Sequence, residues 1–302
     1  IDSPDMLSVG ISISRKLDGS KSKKEDIQFL VQDANQQILK NYINHNVTHV
    51  IIKNYKIDNI NYDFLPDNLN CNSISIDIFF ICISKKTIEY FKTQFLELDI
   101  SINQIFCSSY AKSLNYKDNF PLIKEISFID IGFNKTSITC YDNNKIIFLG
   151  VLPIGGNHIT KDISKILKID LHEAEKIKLY FDKDQNFLND KGISLDLIQK
   201  IIFARIEEIL ELSSKYIELN LKIAEDGKRK MVLTGDGSKI LDNKFKEKIS
   251  FLHDVDLLEE TVQDIFGGAV NLYNGINKQE VVLIPKKPIK EGFFEKLFHL
   301  FK

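Results

Sequence analysis

Two glycine-containing turns are the places where this sequence can do chemistry. Phe128-Ile129-Asp130-Ile131-Gly132, with Thr136 just beyond, reads as a strand-turn-strand hairpin. In such a hairpin tight-turn amides and hydroxyls cradle phosphate oxygens, while the Asp orients magnesium or water. Val232-Leu233-Thr234-Gly235-Asp236-Gly237-Ser238 reads as a strand-to-helix turn. Its glycines let backbone approach a ligand, and the amides of the helix start face it. Each turn has a plainer alternative: Asp-x-Gly recurs by chance, and a tight turn needs glycine at positive φ without any ligand. Glu175 and Lys178 are three apart and share one helix face, where an ordinary surface ion pair is the default. Arg205 is one of three arginines, with Arg15 and Arg229, in a chain carrying 40 basic residues. That scarcity points to a task lysine cannot do, such as bidentate carboxylate binding, and an internal bridge to Glu207 or Glu208 competes with it.

The elements that must hold these residues are legible in outline. Met6 to Ile13 alternates as a strand, and Asp18-Gly19-Ser20 is a turn. Ser22-Lys23-Lys24-Glu25 resembles a capping start for a helix with Ile27, Leu30, Val31 and Ala34 on its apolar face. Val47 to Ile52 and Ile74 to Ile83 are Ile- and Phe-rich enough for buried strands. Lys85 to Leu98 has helical spacing, with Ile88, Phe91, Phe95 and Leu98 as its apolar stripe. Ile126 to Ile131, Ser137 to Tyr141 and Lys145 to Leu152 follow as three strands, with Asp142-Asn143-Asn144 as turn chemistry between the last two. Beyond the bend Pro153 to Gly156, helices dominate to about residue 223, including His158 to Leu167 and Leu195 to Leu219. Lys228 to Leu233 is a further strand.

Composition narrows the function classes. The 302 residues carry 40 Lys+Arg against 42 Asp+Glu, so the chain has no global electrostatic claim on nucleic acid. Cys71, Cys82, Cys107 and Cys140 show neither zinc-ligand spacing nor a disulfide framework. The longest apolar stretch, Ile76 to Ile83, is interrupted by Asp77 and too short to span a bilayer. The last residues differ from the rest. After Pro285-Lys286-Lys287-Pro288, a stiff linker, Phe293, Phe294, Leu297, Phe298 and Phe301 fall on one helical stripe, with Leu300 beside it. From Lys286 to Lys302 five lysines face two glutamates, a local surplus of +3 that favours anionic lipid. This segment reads as a helix lying in a membrane interface; docking on the protein's own core or on a partner is the plain alternative.

The order of these pieces carries a resemblance. Asp130-Ile131-Gly132 is followed by Leu152-Pro153-Ile154-Gly155-Gly156-Asn157-His158-Ile159-Thr160, then by Ala174-Glu175-x-Ile177-Lys178 and Ala204-Arg205-Ile206-Glu207-Glu208. Leu233-Thr234-Gly235-Asp236-Gly237 and Phe266-Gly267-Gly268-Ala269 complete the run, and the Gly292-Phe293-Phe294 tail closes it. The series resembles the bacterial cell-division family FtsA, actin-like ATP-binding proteins. The resemblance implies an α/β fold: an actin-like, ribonuclease-H-like domain preceded by a small FtsA-specific (SHS2-type) α/β subdomain, with a C-terminal amphipathic helix. It implies residues 1–100 for that subdomain and 101–278 for the nucleotide-binding domain. Helices at about 160–225 would bind FtsZ, residues 279–291 would be a linker, and 292–302 a membrane-targeting helix. The family's opening phosphate hairpin has no counterpart before Ile1, so the resemblance implies an N-terminally incomplete member.

The same resemblance assigns roles. Asp130, Gly132 and Thr136 match the second phosphate loop, though Phe133 and Asn134 stand where the family has glycines and Ser137 replaces its second Asp. Glu175 and Lys178 match the ribose contacts, and Gly235, Asp236, Gly237 and Ser238 match the adenine-side turn. ATP with Mg2+ is the implied cofactor, weakened by these departures, with at most a slow ATPase activity. Implied partners are the acidic FtsZ C-terminal tail, met by Lys200 and Arg205, a second copy in an actin-like polymer, later division proteins, and an anionic membrane surface touched by residues 293–301. The implied place is the cytoplasmic face of the inner membrane at the division septum. A PilM-like pilus-assembly protein and a small-molecule kinase of the same superfamily are the alternatives; the tail tells against the first and the eroded phosphate loop against the second.

Overall fold

The computed structural model describes residues 1–66, 69–181, 192–221, 229–241, 255–275 and 280–281. Isoleucine-rich alternation builds the first unit. Strands β1 (Leu7–Lys16), β2 (His45–Ile57), β3 (Ile60–Tyr62) and β4 (Ser73–Ser84) form an antiparallel sheet in the order β1-β4-β2-β3. Helix α1 (Lys24–Asn41) covers one face, laying Ile27, Leu30, Val31, Ala34 and Ile38 against Ile74, Ile76, Ile78 and Phe80. Phe79, Ile81 and Ile83 leave the opposite face of β4 and enter the core of the second unit. Central β4 is therefore buried on both sides, which is why its sequence is almost continuously apolar.

Local capping differs in detail from the sequence expectation. Lys23, rather than Ser22, is the N-cap of α1, and its N–H donates to the Asp26 carboxylate at 3.1 Å. The Ser22 hydroxyl donates to the Pro66 carbonyl at 3.4 Å. Helix α2 (Lys85–Leu96) is capped by Ser84, whose hydroxyl accepts the Thr87 N–H at 3.1 Å. Of its predicted apolar stripe only Ile88 is buried; Phe95 is 39% exposed and Leu98, past the helix end, 69%.

The second unit holds a five-stranded sheet in the order β7-β6-β5-β8-β9. Strands β5 (Glu125–Ile131), β6 (Thr136–Asp142) and β7 (Lys145–Leu152) run antiparallel, and the β6–β7 turn places Asn143 and Asn144 at φ of 47° and 63°. Both residues tolerate that left-handed geometry better than most, so the hairpin forms where the sequence has Asn-Asn. Strands β8 (Lys230–Thr234) and β9 (Val255–Leu257) join in parallel. Between β7 and β8, helices α4 (Gly156–Leu167), α5 (Leu171–Tyr180) and α6 (Leu195–Asn220) cover one face through Ile159, Ile163, Ile177, Ile202, Ile206 and Ile209. The other face carries α3 (Ser108–Lys117) and α7 (Val262–Tyr273), which approach so closely that a Cβ on Gly268 would lie 1.8 Å from the Ala111 carbonyl oxygen.

A buried histidine ties the two units together. His49 in β2 accepts the Cys107 N–H on Nε2 at 2.9 Å, which fixes the proton on Nδ1, and Nδ1–H donates to Glu280 at 2.6 Å. Glu280 pairs with Ile51, and the Val281 N–H reaches the Val50 carbonyl at 2.9 Å, so this segment lies on the β2 edge. The expected tail helix, with Phe293, Phe294, Leu297, Phe298, Leu300 and Phe301, lies outside the described residues.

Candidate functional site

The carboxyl ends of β5 and β8 open into a cavity of 720 Å³ walled by α3, α4, α5 and the 235–237 turn. Strand register decides what faces it. Asp130 pairs with Ser137 and Ile131 with Thr136, so Asp130 and Ser137 share the cavity face. Thr136 falls on the other parity. It is fully buried, and its hydroxyl donates to the Ile154 carbonyl at 2.7 Å, outside the cavity lining. The departure that the sequence shows at position 137 is thus the residue standing beside Asp130.

The hairpin loop is laced to the start of α4. The Gly156 N–H donates to the Gly132 carbonyl at 2.9 Å and the Asn157 N–H to the Phe133 carbonyl at 2.7 Å. Two of the amides that a helix start could offer to phosphate are therefore satisfied by protein. A Cβ on Gly155 would lie 2.5 Å from the Gly132 carbonyl oxygen, so glycine is what permits this approach. The Phe133 ring, 57% exposed, stands at the mouth with the Lys178 ammonium 5.8 Å from its centroid.

Glu175 and Lys178 meet inside the cavity wall rather than on open surface. Lys178 Nζ lies 2.8 Å from Glu175 Oε2 and also donates to Thr160 Oγ1 at 2.9 Å and to the Gly156 carbonyl at 3.2 Å. In the turn after β8, Gly235 has φ of 87°, and a Cβ there would meet Asp130 Oδ1 at 2.3 Å. Only glycine allows the turn to sit against the end of β5. Gly237 and Asp236 line the cavity; Asp236 points outward and pairs with Lys239 at 2.6 Å. Ser238 is buried and its hydroxyl donates to the Gly235 carbonyl at 2.7 Å, closing the turn outside the cavity lining.

Four lining residues carry no local sequence signal: Asp2, Lys112, Lys135 and Glu260. Asp2 is buried and accepts the Ser109 N–H at 3.1 Å and the Ser137 hydroxyl at 3.0 Å. Lys112, on α3, pairs with Asp130 and lies 2.8 Å from Glu260 Oε1, which also accepts the Tyr116 hydroxyl at 2.7 Å. Burial pushes the Asp130 carboxyl up to about 6, with Lys112 opposing and the Glu260 charge adding to the rise. Burial draws the Lys112 ammonium down, but Asp130 and Glu260 outweigh it and hold the group above the ordinary lysine value. Such upward shifts are what two partly desolvated carboxylates sharing one cation produce.

Outside the cavity, Arg205 on α6 grips Asp162 on α4 through Nε at 2.7 Å and Nη2 at 2.9 Å, and it also pairs with Glu208. This is the bidentate carboxylate geometry its scarcity suggested, with Asp162 rather than Glu207 as a partner. Lys200 pairs with Asp196 at 2.6 Å on the open face of α6.

The cavity has the volume and mixed lining of a small-molecule site. The carboxylates do not fit Mg2+ as they stand: among the described residues no group of three His, Cys, Asp or Glu side chains is arranged for a metal, and Asp130 is held by Lys112.

Comparison with known proteins gives two overlapping family matches. The model described as cell division protein FtsA matches residues 127–280, and that described as type IV pilus assembly protein PilM matches residues 28–191. A cell division protein FtsA of Buchnera aphidicola subsp. Acyrthosiphon pisum is 24% identical over 306 residues, covering 91% of this chain and 72% of the relative. The Bacillus subtilis cell division protein FtsA is 34% identical over 152 residues, 45% of this chain and 33% of its own. Other FtsA relatives are spanned for only 56% and 54% of their length. Among solved structures, the PilM-PilN type IV pilus biogenesis complex superposes with a TM-score of 0.57 at 13% identity, covering 86% of this chain and 67% of that one.

Proposed function

This chain belongs to the FtsA family, and from that premise we propose that it is an actin-like, nucleotide-binding adaptor of bacterial cell division rather than a dedicated enzyme. The observation that carries the reading is the cavity at the β5 and β8 ends. The 235–237 turn and the Glu175–Lys178 pair, to which the resemblance assigns the base and the ribose, both line it. The acids that line it are already partnered, Asp130 and Glu260 by Lys112, Glu175 by Lys178, Asp236 by Lys239, and Asp2 by the Ser109 N–H and the Ser137 hydroxyl. That supports a ligand that biases conformation or polymerisation over a substrate awaiting a general base.

The adaptor's contacts belong to the same proposal. Residues 292–302 would lie in an anionic membrane interface through their Phe-rich stripe; among the described residues no helix is long and apolar enough to cross a membrane. The 160–225 helices would receive the acidic FtsZ tail, with Lys200 on the open face of α6 and Arg205 exchanging Asp162 or Glu208 for an incoming carboxylate. Self-assembly and recruitment of later division proteins through the first unit complete the reading. Isothermal titration of the full chain with ATP and with an FtsZ C-terminal peptide tests it; absence of both interactions in a folded sample refutes it.

One observation favours a second reading. The PilM model spans most of the first sheet and the hairpin, and the PilM-PilN complex shares the fold over 86% of the chain. A pilus-assembly role would show as binding to PilN with no response to the FtsZ tail.

A further inference from the structure

The cation at the phosphate end of the cavity is already supplied by the protein. Asp130 lies one residue before the end of β5 at the hairpin turn, where a carboxylate would share a divalent ion with a bound nucleotide's phosphates. That carboxylate is instead closed by the Lys112 ammonium, which also bonds Glu260 at 2.8 Å. The Lys112 side chain is 10% exposed, Glu260 7% and Asp130 15%, so little of the trio meets bulk water. A divalent ion placed between these carboxylates would lie within a few ångströms of the ammonium, and like charges that close in a poorly screened pocket repel strongly. An ammonium has three N–H groups. Two are committed to Asp130 and Glu260, and the third has no protein partner among the described residues, on a side chain that lines the cavity.

We propose that Lys112 stands in for the divalent cation, so that nucleotide binds this chain without Mg2+, its phosphates meeting the Lys112 ammonium directly. The inference rests on the nucleotide reading of the cavity given above. It needs no redistribution of charge beyond what the structure holds: one fixed cation screens Asp130 and Glu260 from the phosphates and offers one donor to them.

ATP titrations of the full chain in excess EDTA and in excess Mg2+ test it, beside manganese titrations of nucleotide-free protein followed by electron paramagnetic resonance. The wild type is expected to bind ATP equally in both buffers, within about twofold, and to ignore Mn2+. Lys112→Met leaves two neighbouring carboxylates without a cation; it is expected to take up Mn2+ and to bind ATP at least about tenfold better with Mg2+ than with EDTA. Lys112→Arg, which keeps the charge should the Met variant fold poorly, is expected to behave as the wild type. A loss of about tenfold or more for wild type in EDTA overturns the proposal, as does Mn2+ uptake by the wild type or its absence in a folded Lys112→Met protein. If ATP binds in neither buffer, the nucleotide reading falls, and the Mn2+ comparison alone decides whether Lys112 holds a metal's place.

Discussion

Replacing Asp130 by Asn should make the protein more stable at neutral pH, and by an amount that grows with pH. Asp130 is half-buried near the end of β5, sharing Lys112 with Glu260, and its carboxyl is raised to about 6 from an ordinary 3.8. A rise of roughly two pH units corresponds to about 3 kcal/mol of discrimination against the charged form. The sign follows from proton linkage: the folded state holds this proton more tightly than the unfolded chain does. Stability contributed by the group is present below its unfolded value and falls as pH climbs toward the folded value. Asn mimics the protonated carboxyl and does not titrate. Wild type and Asp130→Asn should therefore be nearly equal near pH 4, with the variant gaining about 1–3 kcal/mol by pH 7 after local relaxation trims the full figure. Urea unfolding at several pH values measures the gap directly. Carboxylates away from the Lys112 trio titrate in both proteins and cancel in the difference. A gap that stays constant with pH, or a variant that loses ground toward pH 7, would refute the electrostatic account of this trio.

Other perturbations reach other parts of the structure. Gly268→Ala should cost about 1–3 kcal/mol in urea unfolding, because its Cβ would collide with the Ala111 carbonyl and force α3 and α7 apart. Arg205→Lys should lose about 1 kcal/mol and leave Asp162 with one donor, since an ammonium cannot reproduce the two-pronged contact; if Lys proves equivalent to Arg, the bidentate geometry is not what matters. His49→Phe should leave the Cys107 N–H and the Glu280 carboxylate without their buried partner, at a cost of about 2–4 kcal/mol. Hydrogen exchange at the Val281 amide should speed up in that variant, and unchanged protection there would show that Glu280 is not held through His49.

Much of the framework was readable because local rules and global packing agree. The β5–β6–β7 meander announces itself by alternation and by Asn143-Asn144, residues that accept the required left-handed turn. Helix α6 is visible as an Ile stripe at helical period, and that stripe is what packs on the sheet. The apolar spacing of α2 was equally clear but misleads about burial. Periodicity says which residues share a face, while only neighbouring elements decide whether the face is covered, and Phe95 stays partly and Leu98 mostly exposed.

The site itself divides along the same line. Residue type and chain order alone marked Asp130, Gly132, the 235–237 glycines and the Glu175–Lys178 pair, because turn geometry and helix spacing are local properties. The choice between Thr136 and Ser137 belonged to strand register, in which one residue of parity exchanges cavity for core. Arg205's partner lay 43 residues away on another helix. The Lys112–Asp130–Glu260 trio joins α3, the end of β5 and the segment before α7, with Lys112 and Glu260 separated by 148 positions. No periodicity reaches across such a separation. The sequence by itself determined the turns, the strand and helix periods and the scarce arginine; the tertiary structure alone decided which charges share a buried volume, because that depends on how the sheet's two faces are packed rather than on any stretch of chain.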